Sequence, residues 1–230
     1  MNDIVLTTRA IAVSFGGVKA ADGVNAEIYR GEFLAIIGPN GSGKTTFLNL
    51  CTGYVKPHAG KVVFEGQDIT GLSPRRITRR GIARAFQIPQ MFTDHTLIEN
   101  VLMAVAAKNG FWDWYTPLDR ASYRETAHGI LELVGLNDVQ NQSVVELPEG
   151  MRKLADIALA LALKPTLLLL DEPTSGVSAS EKFELMEILT RVLKEEAITT
   201  VVVEHDMDLV RRYAHRVLVW DQGHVMASGN

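Results

Sequence analysis

The sequence predicts an α/β fold in which buried parallel strands alternate with helices, and three stretches predict it. Phe33–Ile37 is a short apolar run that passes through Gly38-Pro39-Asn40-Gly41-Ser42-Gly43-Lys44-Thr45 into an apolar-periodic segment, Thr46–Leu50. Leu167–Leu170 is a continuous apolar run that closes on Asp171 and Glu172, and Thr199–Val203 is a β-branched run that leads to His205. Strands without a polar face belong to a sheet covered on both sides. Polar groups just past their C-terminal ends gather at one edge of that sheet.

The first stretch reads G-x-x-x-x-G-K-[ST] between a strand and a helix, which is the context a P-loop requires. Its glycines let the backbone wrap closely enough for successive N–H groups to point at one phosphate, and the following helix adds its positive dipole end. Lys44 then reaches the outer phosphates and the Thr45 hydroxyl holds magnesium. A tight surface turn with a stray lysine would leave all these constrained positions to chance. The reading is therefore a P-loop core that binds a nucleoside triphosphate.

The other elements follow in chain order. Ile4–Ser14 and Gly23–Tyr29 alternate apolar and polar residues around Phe15-Gly16-Gly17, which predicts antiparallel strands of an N-terminal β-layer. Phe15 in that loop either stacks on a nucleobase or pins the turn. Gly53–Gly60 supplies turns, Lys61–Phe64 reads as a strand, Ser73–Arg80 as a helix and Gly81–Phe86 as extended chain ending at Gln87. Thr96-x-x-Glu99 is a capping box before Val101, Leu102 and Val105, and Ser122-x-x-Glu125 begins a helix with the stripe Ile130, Leu131, Val134. Residues 88–163 are thus a mainly helical lobe inserted into a core of residues 1–87 and 164–230, within one domain. In that lobe Phe111, Trp112, Trp114 and Tyr115 either plug their own loop or form a patch that docks a partner. Ser178-x-x-Glu181 caps a further helix whose Leu185, Ile188, Leu189 and Val192 face the core.

The carboxylates after Leu170 have two readings. An Asp-Glu pair can cap a helix; beside a P-loop, Asp171 orders magnesium through water and Glu172 polarises the attacking water. His205, just past a buried strand, can hydrogen-bond a γ-phosphate.

Composition excludes several classes. A formal net charge of -4 with interspersed signs argues against a nucleic-acid surface. Arg75, Arg76, Arg79, Arg80 and Arg84 follow the helix start Ser73-Pro74 and read as a solvated helix face, with acidic lipid or a membrane partner as the other reading. The single cysteine, Cys51, is core filler behind the P-loop helix and fits a reducing compartment. Met1–Arg9 lacks the pattern of a signal peptide. Leu154–Leu170 is broken by Asp156, Lys164 and Pro165, short of the roughly 20 residues of a membrane span. The six histidines show no zinc spacing.

Taken together, Phe15, the P-loop, Gln87, Leu147-Pro148-Glu149-Gly150-Met151, Leu167–Glu172 with Pro173-Thr174, and His205 resemble, over nearly the whole chain, the ATPase subunit of an ABC transporter. Phe15-Gly16-Gly17, the approach to Gln87 and Glu204-His205-Asp206-Met207 are similar to the branched-chain amino-acid and urea uptake ATPases. The resemblance implies ATP and Mg²⁺ as cofactors. It implies a nucleotide set of Phe15, Gly38, Asn40, Gly41, Ser42, Gly43, Lys44, Thr45, Thr46 and Gln87, and a metal set of Thr45, Gln87 and Asp171. Phe15 matches the adenine-stacking aromatic, Gln87 the glutamine that senses magnesium and the transport partner, Glu172 the catalytic glutamate and His205 the switch histidine, with Lys44 on the phosphate charge. It also implies a peripheral subunit on the cytoplasmic side of the plasma membrane, soluble when isolated. Its partners would be a second ATPase subunit, transmembrane permease subunits and, indirectly, an external solute-binding protein.

The sequence departs from the family at its signature, Leu-Ser-Gly-Gly-Gln, whose serine hydroxyl and glycine N–H groups bind the γ-phosphate held by the opposite subunit. Pro148 has neither hydroxyl nor N–H. A carboxylate at Glu149 about 5 Å from one phosphate charge would cost about 3 kcal/mol at an effective dielectric of about 20. Ser178 stands where the family usually has an aspartate. The expectation is an asymmetric pair in which a different ATPase completes the Lys44/Glu172 site, against the alternative that Glu149 turns to solvent and Gly150 suffices. Two other classes stand beside the importer. A soluble ATPase of this type acting as a mechanical or regulatory module would ask for two ATPase halves or a coiled coil. A P-loop kinase would not ask for the signature-like segment or His205.

Overall fold

Alternation of buried and exposed residues along Ile4–Phe15 (β1) and Val18–Tyr29 (β2) folds the N-terminus into an antiparallel hairpin. The computed structural model describes residues 3–86, 91–108 and 120–229. The hairpin turn is Gly16-Gly17, with φ of 54° and 87°, the positive values that match the twist of the strands. Ala59–Phe64 (β4) and Gln67–Asp68 (β5) complete a four-stranded sheet in the order β2-β1-β4-β5.

The second sheet holds six strands in the order β10-β9-β3-β8-β7-β6. These are Phe33–Ile37 (β3), Ile82–Ala85 (β6), Leu167–Asp171 (β7), Thr199–Val203 (β8), Arg216–Asp221 (β9) and His224–Gly229 (β10). Strands β9, β3, β8, β7 and β6 pair in parallel, and β10 closes the edge antiparallel to β9. Register places Ile36 and Asp171 opposite Val203, so the chain leaves β3, β7 and β8 at the same edge.

Successive residues of the parallel strands serve opposite faces, as a period of two requires. Leu34, Ile36, Ile82, Leu167, Leu169, Val201 and Val203 join one apolar cluster with the β-layer, Lys44–Thr52 (α1) and Pro74–Arg80 (α2). Phe33, Ala35, Ala83, Ala85, Leu168, Leu170 and Val202 join a second cluster with Leu97–Lys108 (α3), Ala121–Leu133 (α4), Glu149–Ala162 (α5), Ala179–Glu195 (α6) and Met207–Tyr213 (α7). Helices α3, α4 and α5 pack on one another, and their core is continuous with that face of the sheet. Among the described residues no helix is long and apolar enough to cross a membrane.

The capping boxes expected at Thr96/Glu99 and Ser178/Glu181 form. The one at Ser122/Glu125 does not. Helix α4 begins at Ala121 with Arg120 as its N-cap, and the Ser122 carbonyl accepts from the Thr126 hydroxyl inside the helix. Two backbone N–H groups of the first turn, those of Tyr123 and Arg124, reach the Arg120 carbonyl, so the start is fixed by main chain two residues earlier than the side-chain pattern suggested. The aromatic cluster at Phe111–Tyr115 lies outside the described residues.

Candidate nucleotide site

Three loops meet where the parallel strands end. After β3 the chain turns through residues 38–43 into α1. A Cβ on Gly38 would lie 1.9 Å from the Trp220 carbonyl oxygen, and one on Gly43, at φ 106°, 2.1 Å from the Ala20 carbonyl oxygen. Backbone of β9 and β2 therefore presses on the loop at two points where only glycine fits. Trp220, fully buried with its ring centroid 4.9 Å from that of Phe47, anchors α1 from the same side.

Lys44 opens α1 and is buried, its ammonium donating to the Gly38 and Pro39 carbonyls at 2.8 Å each. Burial lowers its pKa, with the nearby Glu172 and Asp171 carboxylates opposing that shift. A phosphate is a stronger partner for this cation than two neutral carbonyls. The Ser42 hydroxyl is buried in the same loop without a hydrogen-bond partner among the described residues, a donor of the kind an anion satisfies. Asn40, Gly41 and Thr45 are exposed at the mouth, and Thr46 is half-buried. Phe15, at the end of β1, is 51% exposed, so its ring is free to stack on a ligand.

Asp171 ends β7 almost fully buried. Its Oδ1 accepts from the Thr45 hydroxyl at 3.4 Å, while its Oδ2 pairs with Arg84 Nη2 at 2.7 Å. Thr45 and Asp171, the two hard-oxygen donors expected to hold magnesium, thus face each other across the loop. Glu172 follows at φ 50°, a left-handed conformation that costs a non-glycine residue about 1–3 kcal/mol. Its N–H bonds the Val203 carbonyl at 3.0 Å, and its Oε1 lies 2.8 Å from His205 Nε2. The strained backbone aims the carboxylate at the histidine just past the neighbouring strand, β8.

Buried Glu204 fixes both sides of that contact. One of its oxygens accepts from the Thr174 hydroxyl at 2.6 Å, in the loop after Glu172, and the other from the backbone N–H of His205 at 3.0 Å. Asp206 next caps α7, accepting from the N–H groups of Asp208 and Leu209.

The signature-like segment lies on the other face of the sheet from α1. Leu147 is buried, Pro148 is the N-cap of α5, and the Glu149 carboxylate turns back along its own helix to Arg152 Nη2 at 2.5 Å. A Cβ on Gly150 would meet only Val177 Cγ1, at an ordinary 3.8 Å.

The ABC transporter family profile matches residues 21–175, two-thirds of the sequence. The chain belongs to that family. It is an ATP-binding, ATP-hydrolysing subunit of an ABC transporter. It is 35% identical over its full length to the high-affinity branched-chain amino acid transport ATP-binding protein LivG of Escherichia coli, covering 92% of that protein. It is 34% identical to BraF, named for the same transport, of Pseudomonas aeruginosa, again over its full length and 92% of the relative. Among solved structures, a nucleotide-free ATP-binding cassette from an ABC transporter superposes with a TM-score of 0.88 at 33% identity, over 99% of this chain and 91% of that one. The ADP conformation of such a cassette superposes with a TM-score of 0.87 at 34% identity, with the same coverage of both chains.

In this ABC ATPase, sequence reasoning misplaced Arg84 and did not pair it with Asp171 or Asn49. Arg75, Arg76, Arg79 and Arg80 do form an exposed face on α2. Arg84 does not belong with them: it sits on β6 with its side chain 5% exposed, paired to Asp171 and bonded to Asn49 Oδ1 at 2.5 Å. A lone cation in the apolar strand Ile82-Ala83-Arg84-Ala85 was the available signal, since a buried strand tolerates a charge only against a partner. Asp156, buried on α5, was another omission; it accepts from the Phe86 backbone N–H at 2.8 Å, directly before Gln87. Gln87 itself lies outside the described residues.

Proposed function

We propose that this subunit powers the import of a small polar solute of the branched-chain amino-acid or related amide class, and that it works in an asymmetric pair of ATPases. The observation that carries the catalytic part is the 2.8 Å contact between Glu172 Oε1 and His205 Nε2, set beside the buried Lys44. In this reading Lys44 and the loop N–H groups hold the phosphates, Phe15 stacks on adenine, and Thr45, Asp171 and Gln87 would hold magnesium, which would supply neutralisation of phosphate charge. Glu172 orients the attacking water and accepts its proton, while His205 keeps Glu172 aimed through its Nε2 N–H and turns that donor to the γ-phosphate when nucleotide is bound. Residues 88–163 act as a lobe that passes closure to permease subunits, with the Asp156 to Phe86 bond tying α5 to the strand that leads into Gln87. The names of LivG and BraF support the solute class. Selection of that solute would rest with the permease and an external binding protein.

The asymmetry rests on the start of α5. Glu149 keeps a carboxylate in the first turn, paired with Arg152 at the surface, with both side chains 38% exposed. Pro148 has no donor to offer, and only Gly150 keeps the family's glycine. The test is steady-state ATP hydrolysis by the purified chain, unaltered and with Pro148→Ser/Glu149→Gly. Restoring lost donors is expected to raise the rate at least about tenfold, because one such donor is commonly worth about 10²–10³ in kcat. Fast cooperative hydrolysis by the unaltered homodimer, unchanged by the repair, would sink the asymmetric reading and leave a symmetric one.

A further inference from the structure

We propose that Arg84 is a positioning residue for the metal that accompanies the nucleotide, because it clamps Asp171 to α1 and so fixes the spacing between that carboxylate and Thr45. The inference rests on the reading that Thr45 and Asp171 take magnesium. On β6, Ala83 and Ala85 face the layer of α3, α4 and α5, whereas Ile82 joins the cluster beneath α1. Arg84 shares the register parity of Ile82, and its guanidinium enters the space between the sheet and α1. There Nη2 meets Asp171 Oδ2 at 2.7 Å and Nη1 meets Asn49 Oδ1 at 2.5 Å, with the guanidinium carbon 4.9 Å from the centre of the Phe86 ring.

Packing alone does not account for this residue. A buried ion pair is often no more stabilising than apolar side chains of the same volume, and Arg84 Nε stays buried without a hydrogen-bond partner among the described residues. What the planar fork achieves is a simultaneous hold on two elements at a fixed spacing, which an apolar side chain cannot make and a lysine ammonium, a point charge on a flexible stem, does not fix. With Oδ2 engaged, Asp171 cannot rotate without breaking the pair, and Oδ1 is the oxygen left facing the Thr45 hydroxyl at 3.4 Å. Asn49 stands four residues after Thr45 on α1, hence one turn along the same helix face. The same guanidinium therefore restrains the strand that carries one metal donor and the helix that carries the other. Partners of metal ligands of this kind typically tune affinity about 10- to 100-fold.

The experiment measures Mn²⁺ binding to the protein–ADP complex by electron paramagnetic resonance and ADP binding in the presence of a chelator by calorimetry. The variants are Arg84→Met, Arg84→Lys and Asp171→Asn. Arg84→Met is expected to weaken Mn²⁺ binding about 10- to 100-fold, with metal-free ADP affinity held within about twofold. Should that variant fail to fold, Arg84→Lys carries the test: it keeps the charge but not the fork, and an approximately tenfold loss of Mn²⁺ affinity is expected. Folded Arg84 variants that bind Mn²⁺ within about twofold of wild type, or lose metal-free ADP affinity in equal measure, would overturn the proposal. If Asp171→Asn leaves Mn²⁺ binding unchanged, the magnesium reading itself fails. If Asp171→Asn weakens it while the Arg84 variants do not, only the role of Arg84 fails.

Discussion

Helices α1 and α5 both begin at segments that resemble phosphate-binding motifs, yet one start is wedged into this chain's own fold and the other lies at the surface. At α1, Gly43 is the left-handed N-cap, wedged against the Ala20 carbonyl, and the first helical residue is a buried lysine held by two carbonyls. At α5 the N-cap is Pro148 and the first helical residue is Glu149, bonded to Arg152. A helix N-terminus favours negative charge by about 0.3–1 kcal/mol. At α1 that preference is unspent on any acidic residue of the first turn; at α5 Glu149 already fills it. The difference teaches that a loop wedged between strands has its residues dictated by packing, whereas a loop facing outward is free to change when no second molecule demands otherwise.

The largest effect expected is on chemistry at the first region. Glu172→Gln removes the proposed general base while keeping the side-chain size, and kcat is expected to fall about 10²- to 10⁴-fold with ATP binding retained. Single-turnover hydrolysis and equilibrium binding separate the two. A fall smaller than about tenfold would mean that another group takes the proton, and the strained φ of Glu172 would need a different explanation.

The next test compares the two glycines directly. Gly43→Ala drives a methyl group into the Ala20 carbonyl at a backbone angle that side chains avoid, and is expected to cost about 2–5 kcal/mol of stability. Gly150→Ala meets only ordinary contact inside a helix and is expected to be neutral or to gain up to about 1 kcal/mol. Urea unfolding curves measure both. Equal costs would erase the contrast between the regions. A neutral Gly150→Ala that nonetheless lowers hydrolysis in an ATPase pair would sharpen it, since the glycine would then serve only the partner's nucleotide.

The smallest effect expected concerns access. Cys51 is fully buried on α1, and burial pushes its thiol up to about 12 from the ordinary 9.0. Iodoacetamide is expected to leave it unmodified in the native state at neutral pH, while a cysteine introduced by Met151→Cys, at a position 37% exposed on α5, reacts readily. The unfolded thiol ionises from about pH 9 while the folded one keeps its proton to about 12. Stability is therefore expected to fall across that window, by at most about 1.4 kcal/mol per pH unit from this group. Labelling of native Cys51 at a rate like that of the introduced cysteine on α5 would contradict the tight seating of α1.

The helical segments with strong periodicity, the strands that end at Asp171 and Val203, and the glycine loop between Ile37 and Lys44 were all legible in the sequence. Each is a local pattern: apolar period, cap residue or a loop that only glycine can trace. The family resemblance followed from the order of those motifs. Tertiary structure alone decided which charges meet. Arg84 and Asp171 are separated by 87 positions in the chain and come together because β6 pairs in register with β7. Thr174 and Glu204 meet because β7 pairs with β8. Ser122 is a local exception, its cap displaced by the Arg120 main chain three and four residues before the bonded N–H groups. Periodicity fixes which face of an element is buried; what a buried polar group bonds to depends on strand order and register, and these are set by the packing of the whole sheet.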